Sequence, residues 1–250
     1  MTWMCPTSSR TVPDAPPSDR RTELANRLAR VRTRLADACA AAGRDRTEVT
    51  LVAVTKTYPA SDVLHLAGLG VRDIGENRDQ EAAPKAAAVA AAGVDVRWHF
   101  VGQLQRNKAR SVVGYADLVH SVDSVRLAEA LDHAAAQRLV RPLDVLVQVS
   151  IDAAPGRGGA LPAELDAVTD AIAKAEALVL RGVMAVAPMD WQPARAFEEL
   201  ARIALQVRTQ HPDATIISAG MSGDVEEAID HGATHVRMGS ALLGSRPSLL

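Results

Sequence analysis

Short apolar runs return along this chain at a spacing that leaves room for a helix between neighbours, and that rhythm restricts the fold more than any other feature. The runs begin near Leu51, Val71, Val96, Leu118, Leu143, Val179, Thr215 and His235. Ala- and Leu-rich segments of helical period occupy 61–69, 77–92, 124–139, 163–176 and 192–209. Strands alternating with helices build βαβ units and a parallel sheet. The strand runs are rich in β-branched residues without strict polar alternation, as in "LDVLVQVSI" (143–151), which suits strands covered on both faces. Eight such runs in 250 residues predict a single TIM-type (β/α)8 barrel, an α/β fold, with an open doubly wound sheet as the alternative.

An extra helix precedes the first strand. Leu24, Leu28, Val31 and Leu35 recur at spacings of three and four, which predicts one amphipathic helix over 20–42 closed by Gly43. The barrel bottom and another chain are both open as partners for its apolar face. The segment 1–19 is rich in Pro, Ser and Thr and reads as a disordered tail, so the expected organisation is that tail followed by one barrel domain over 20–250. Apolar residues make up 48% of the chain, enough for a large core, and a net charge of −2 gives no electrostatic case for nucleic acid or anionic membrane as partner. The basic stretch "QRNKAR" (105–110) reads as a solvated helical face. No run reaches bilayer length, and the N-terminus lacks the apolar core of a secretory leader. The two cysteines, Cys5 and Cys39, form no CxxC pair; a reduced, cytoplasmic setting is expected.

In such a barrel, function sits where strands run out into the following loops. The first strand, "LVAVTKTYPA" (51–60), ends in Lys56. The second offers Glu76 and Asn77, the third His99, the fourth His120, Ser121 and Asp123, the sixth Met184. After the seventh comes "SAGMSGDVEEAI" (218–229), with Ser222 and Asp224 as caps of a helix start. After the eighth, "HVRMGSALLG" (235–244) repeats a Gly-Ser turn at Gly239 and Ser240. Small residues let backbone N–H groups approach an anion, and two such loops after strands seven and eight make the usual phosphate site of a barrel. Arg237 alternates against Val236 and Met238, so it points either outward to a carboxylate or inward to the barrel mouth. A lysine, a phosphate cradle and an arginine at one mouth are the equipment for pyridoxal 5′-phosphate (PLP). Lys56 as a strand-end residue reaching into water remains the other reading.

The segments "LVAVTKTYPA", "IGENRDQEA", "WHFVGQLQRNKAR", "RGVMAV", "GMSGDVEEAI" and "HVRMGSALLG" resemble, in order and spacing, the pyridoxal-phosphate homeostasis protein family over about residues 20 to 246. The resemblance implies an alanine-racemase-like barrel with PLP held on Lys56 as a Schiff base. It implies Asn77 beside the cofactor, the Met221 backbone with Ser222 and Gly239 with Ser240 on the phosphate, and Arg237 facing the pyridine nitrogen. Two departures stand out: Ser240 replaces the common threonine and keeps the hydroxyl, and Arg157 stands where the family often has a lysine.

The function implied is PLP binding in vitamin B6 homeostasis without strong catalytic turnover, with PLP-dependent apoenzymes as recipients and a monomer or weak dimer as the working form. An arginine at the pyridine nitrogen disfavours ring protonation and weakens the ring as an electron sink. The alternative is an active PLP enzyme such as an amino-acid racemase. That reading needs a second acid/base opposite the lysine, for which Tyr58 is the candidate and Tyr115 the only other tyrosine; the additional domain that often supplies one is expected to be missing. A third reading is a barrel aldolase using Lys56 on a sugar phosphate. No metal site is expected at "HGATH" (231–235), because Gly232 breaks the helix a zinc-binding histidine pair needs. His99 reads as a pocket wall or a satisfied core histidine.

Overall fold

The computed structural model describes residues 19–154 and 157–244. The expectation of a disordered tail falls almost wholly outside the described residues, as do Cys5 and the last six residues of the expected domain. The chain runs α1 (Arg20–Ala41), β1 (Thr50–Val54), α2 (Ala60–Gly68), β2 (Asp73–Glu76), α3 (Asp79–Ala91), β3 (Arg97–Phe100), α4 (Ala109–Val112) and β4 (Leu118–Val122). It continues with α5 (Val125–Ala136), β5 (Leu143–Gln148), α6 (Leu165–Lys174), β6 (Leu178–Met184), α7 (Pro193–Gln210), β7 (Ile216–Ser218), α8 (Val225–Asp230), β8 (His235–Met238) and α9 (Ser240–Leu243). The eight strands pair in sequence order, all parallel, and β8 pairs with β1 to close the barrel. The doubly wound alternative is thereby excluded.

Alternation along each strand divides the side chains. Val119, Val145, Val147, Val183 and Val236 face outward into the shell between barrel and helices, where the main core lies. Leu118, Leu146 and Met184 form a small separate cluster, which alternation places inside the barrel. At the closed end, where strands begin, Asp144 accepts from Arg181 Nε at 2.8 Å and from Arg97 at 3.4 Å. Among the described residues no helix is long and apolar enough to cross a membrane.

The N-terminal helix settles neither on the barrel bottom nor away from the barrel. Helix α9 has only four residues and leaves a gap in the helical ring between α8 and α2. The 22-residue α1 fills it, packing on α2, α8 and α9 with Leu24, Leu28, Val31 and Leu35 buried. Polar ties fix its place: Arg20 pairs with Asp62 of α2 at 2.6 Å, Arg34 pairs with Glu226 of α8, and Arg44 donates to the carbonyls of Ile229 and Ala233 at 2.8 Å.

Strand β6 carries a bulge where its register against β5 slips between Leu180 and Gly182. Gly182 adopts φ +149°, and a Cβ there would sit 1.9 Å from the Ile216 carbonyl oxygen of β7. Glycine is required both for the backbone conformation and for the approach of the next strand. Gly182→Ala is expected to destabilise the protein by about 3 kcal/mol or more. A denaturation midpoint within error of wild type would contradict that reading of the β6–β7 seam.

Candidate functional site

Register across the closure seam sets the site. Val52 of β1 lies opposite Arg237 of β8, and alternation from Val52 through Val54 sends Lys56 inward at the mouth. Thr55, between them, faces outward: its hydroxyl donates to Glu76 Oε1 at 2.6 Å, and Lys85 of α3 donates to its carbonyl at 2.8 Å while pairing with Glu76. Burial drives the Glu76 carboxyl up in pKa against the pull of Lys85 and Thr55. This buried knot holds the end of β1 from behind. Glu76, a strand-end candidate on sequence, thus serves the wall rather than the mouth.

Past the strand the chain turns sharply. Thr57 sits at φ +69°, a conformation that a β-branched residue rarely adopts, and its N–H donates to Glu81 at 2.9 Å. The turn leaves Lys56 half-buried, with no hydrogen-bond or ion-pair partner among the described residues. Lys56, Asn77, Met221, Ser222, Arg237, Gly239 and Ser240 all line one cavity of about 500 Å³ at the mouth. Asn77 lies against Gly102, where a Cβ would come within 2.2 Å of the Asn77 carbonyl, and its Oδ1 is buried without a hydrogen-bond partner among the described residues.

Arg237 points inward, not to an outer carboxylate. It is 5% exposed, donates to Ser218 Oγ at 2.7 Å and to the Ala185 carbonyl at 2.9 Å, and burial pulls it down to about 10, so it stays cationic at neutral pH. The two small-residue loops meet through Ala241 N–H and Ser222 Oγ at 3.4 Å. Among the described residues the N–H groups of Ser222 and Gly223 have no acceptor. The Met221 N–H differs from the sequence expectation: Asp224, read as a helix cap, instead takes it on Oδ1 at 2.6 Å. Helix α1 reaches this loop too, because Arg34 donates to the Ser222 carbonyl at 2.7 Å.

The remaining candidates fall elsewhere. Tyr58 lines the cavity, but its hydroxyl donates to the Gly244 carbonyl at 2.9 Å, Arg20 lies over its ring, and burial raises its pKa. Tyr115 lies away from the mouth, edge-on to Trp98. Arg157 pairs with Asp152 at 3.1 Å. His99 is a satisfied core histidine, held by Asp73 and His120 at 2.9 Å each. His231, just past α8, bonds the Glu227 carbonyl of that helix, and no His, Cys, Asp and Glu group among the described residues could hold a metal ion. Sequence reasoning missed Arg34, Ala185, Gly102 and Ser218, whose contributions come from contacts between distant segments.

The family model described as "Alanine racemase, N-terminal domain" matches residues 27–247. A pyridoxal phosphate homeostasis protein of Mycobacterium leprae is 45% identical over 241 residues, covering 90% of this chain and 94% of the relative. The chain belongs to the pyridoxal phosphate homeostasis protein family. The family's Escherichia coli K12 member is 38% identical, with 90% of this chain and 97% of the relative covered. The solved structure of PipY from Synechococcus elongatus, with PLP bound, superposes with a TM-score of 0.77 at 35% identity, covering 88% of this chain and 100% of that one.

Two buried histidines inside the barrel give the fold a pH dependence. Burial lowers His120 well below its ordinary value and His235 to about 4. Unfolded histidine takes up a proton near pH 6.5 while the folded rings do not. Stability is therefore complete above about pH 6.5 and falls as pH drops toward 4, by on the order of 3 kcal/mol for His235 alone. Unfolding free energies measured at about pH 7, 6 and 5 should decline, and decline less steeply in His235→Gln; equal slopes would remove His235 from this account.

Proposed function

We propose that this chain binds PLP in the cavity at the barrel mouth through a covalent bond to Lys56, and acts in cellular PLP homeostasis by holding the cofactor without strong turnover. The observation that carries the reading is the convergence on one cavity of an amine without a partner among the described residues, a buried inward-facing arginine and two small-residue loops. The residues present fit the group. Among the described residues, Ser222 and Gly223 offer N–H groups without acceptors, a Cβ at Gly223 would meet nothing within 4 Å, and Asn77 Oδ1 is a buried acceptor without a donor. Ser222, Gly239 and Ser240 would hold the phosphate, with Met221 N–H joining only if Asp224 releases it. Arg237 would face the ring nitrogen as a donor that keeps its own proton.

Bound PLP supplies an aldehyde that reacts with amines and a ring that withdraws electrons. The chain's own residues favour holding over turnover. Arg237 already carries the proton it would share with the ring nitrogen. Tyr58, the candidate second base of a racemase, is engaged with the Gly244 carbonyl and has its pKa raised by burial, both of which weaken it as a proton acceptor. The names of the relatives support PLP homeostasis, and PipY with PLP bound supports the cofactor. On this reading the chain works in the cytoplasm as a monomer or weak dimer, and PLP-dependent apoenzymes are its recipients.

Protein supplied with PLP is expected to show a visible absorption band that borohydride fixes covalently to Lys56, located by peptide mass analysis. Lys56→Ala should lack both band and adduct while keeping its folded far-ultraviolet spectrum. Trapping on another lysine would move the site, and absence of any band in the wild type would remove the cofactor reading.

A further inference from the structure

The barrel interior beneath Arg237 holds a chain of polar groups that the cofactor site does not account for. Arg237 donates to Ser218 Oγ at 2.7 Å, Ser218 Oγ lies 2.9 Å from His120 Nδ1, His120 Nε2 lies 2.9 Å from His99 Nδ1, and His99 Nε2 lies 2.9 Å from Asp73 Oδ1. Ser218, His120 and His99 are each no more than 1% exposed, so water does not stand in for any of these bonds. The five residues come from β8, β7, β4, β3 and β2, on inward-facing positions of the barrel.

With both rings neutral and Asp73 ionised, one proton arrangement satisfies every link. A guanidinium only donates, so Ser218 Oγ accepts from Arg237 and turns its own hydroxyl proton to His120 Nδ1. His120 then carries its proton on Nε2 and donates to His99 Nδ1. His99 carries its proton on Nε2 and donates to the Asp73 carboxylate, which only accepts. The chain thus runs one way, from a buried cation to an anion whose side chain is 22% exposed, with each acceptor end turned toward the arginine. Such aligned bonds polarise one another and offset the burial of a cation that pairs with no carboxylate among the described residues.

We propose that Asp73, His99, His120 and Ser218 are positioning residues for Arg237, a directional hydrogen-bond chain that fixes which of its N–H groups face the pocket. The chain holds the guanidinium by Ser218 on one side and the Ala185 carbonyl on another, leaving its remaining donors for a ligand's ring nitrogen. That last clause rests on the PLP reading above; the chain itself does not. The depressed pKa values of His120 and Asp73 agree with a neutral His120 ring and a charged carboxylate at the end of the chain. The other charged or titratable groups facing His99 and His120 are His235 and Arg237 from β8 and Arg97 from β3, and Arg97 is itself shared with Asp144 of β5.

The test uses the full chain in two arms. In the protein without added PLP, imidazole nitrogen NMR at about pH 8 should show the protons of His99 and His120 on Nε2 and none on either Nδ1. Asp73→Asn, of nearly equal size and four hydrogen bonds from the guanidinium, should shift the His99 tautomer and the Arg237 Nε–H resonance. In the second arm, PLP titration should give about fivefold weaker binding for Asp73→Asn and at least as much for Ser218→Ala, with Ser218→Thr recovering it. A different tautomer in the wild type overturns the proposal without need of any variant. So does an Asp73→Asn protein that keeps the wild-type Arg237 resonance and PLP affinity while Ser218→Ala loses them, because Ser218 would then be a local contact only. A wild type that takes up no PLP removes the cofactor reading, and the NMR arm still decides the chain.

Discussion

The parallel pairing of β8 with β1 is the interaction on which the rest of this molecule depends. It closes the barrel, and it also sets one end of the sequence beside the other. Lys56 and Arg237 stand 181 positions apart in the chain, yet the register of Val52 against Arg237 delivers both to one mouth. A slip of one residue in that pairing would exchange inward for outward side chains along the strand and dismantle the pocket. Side-chain chemistry elsewhere protects the seam: the buried Glu76–Lys85 knot fixes the end of β1, and Asp224 with Arg34 fixes the loop leading toward β8.

The strands were legible because parallel barrel strands are covered on both faces and stand out as apolar runs. All eight predicted runs contain an observed strand, and the five predicted long helices are present. The residues grouped at the mouth were also legible, since the ends of strands are fixed once the runs are found. Illegible were features decided by contacts between segments far apart. The place of α1 depends on the shortness of α9, which no periodicity reveals. Asp224 has the residue type and position of a helix cap, but its carboxylate takes the Met221 N–H and makes no bond to the first turn of α8. Glu76 looked like a mouth residue because it ends a strand; parity along β2 and the approach of Lys85 turn it to the wall.

The interior of the barrel is unusual in what it buries. The strand faces that meet the helices are largely apolar, while the inner faces carry three histidine rings with centroids 5.1 to 6.4 Å apart, a serine and an arginine. Buried polar groups cost stability unless each finds a partner, and here each link of the Asp73-to-Arg237 chain is made. An apolar filling of the same volume would need no such matching. The cost is tolerable because a cation at the floor of the mouth has to be stabilised from below, where water cannot reach.

The position of α1 bears on how the molecule is made. Its apolar face is completed by α2, α8 and α9, and two of those belong to the final quarter of the sequence. On the ribosome, α1 therefore emerges well before α8 and α9 and waits with Leu24, Leu28, Val31 and Leu35 only partly covered until those helices have followed. Contacts between such distant segments form late and slowly. The nascent chain carries an adhesive stripe throughout its synthesis, and chaperone demand should be greatest in the interval just before β8 is released.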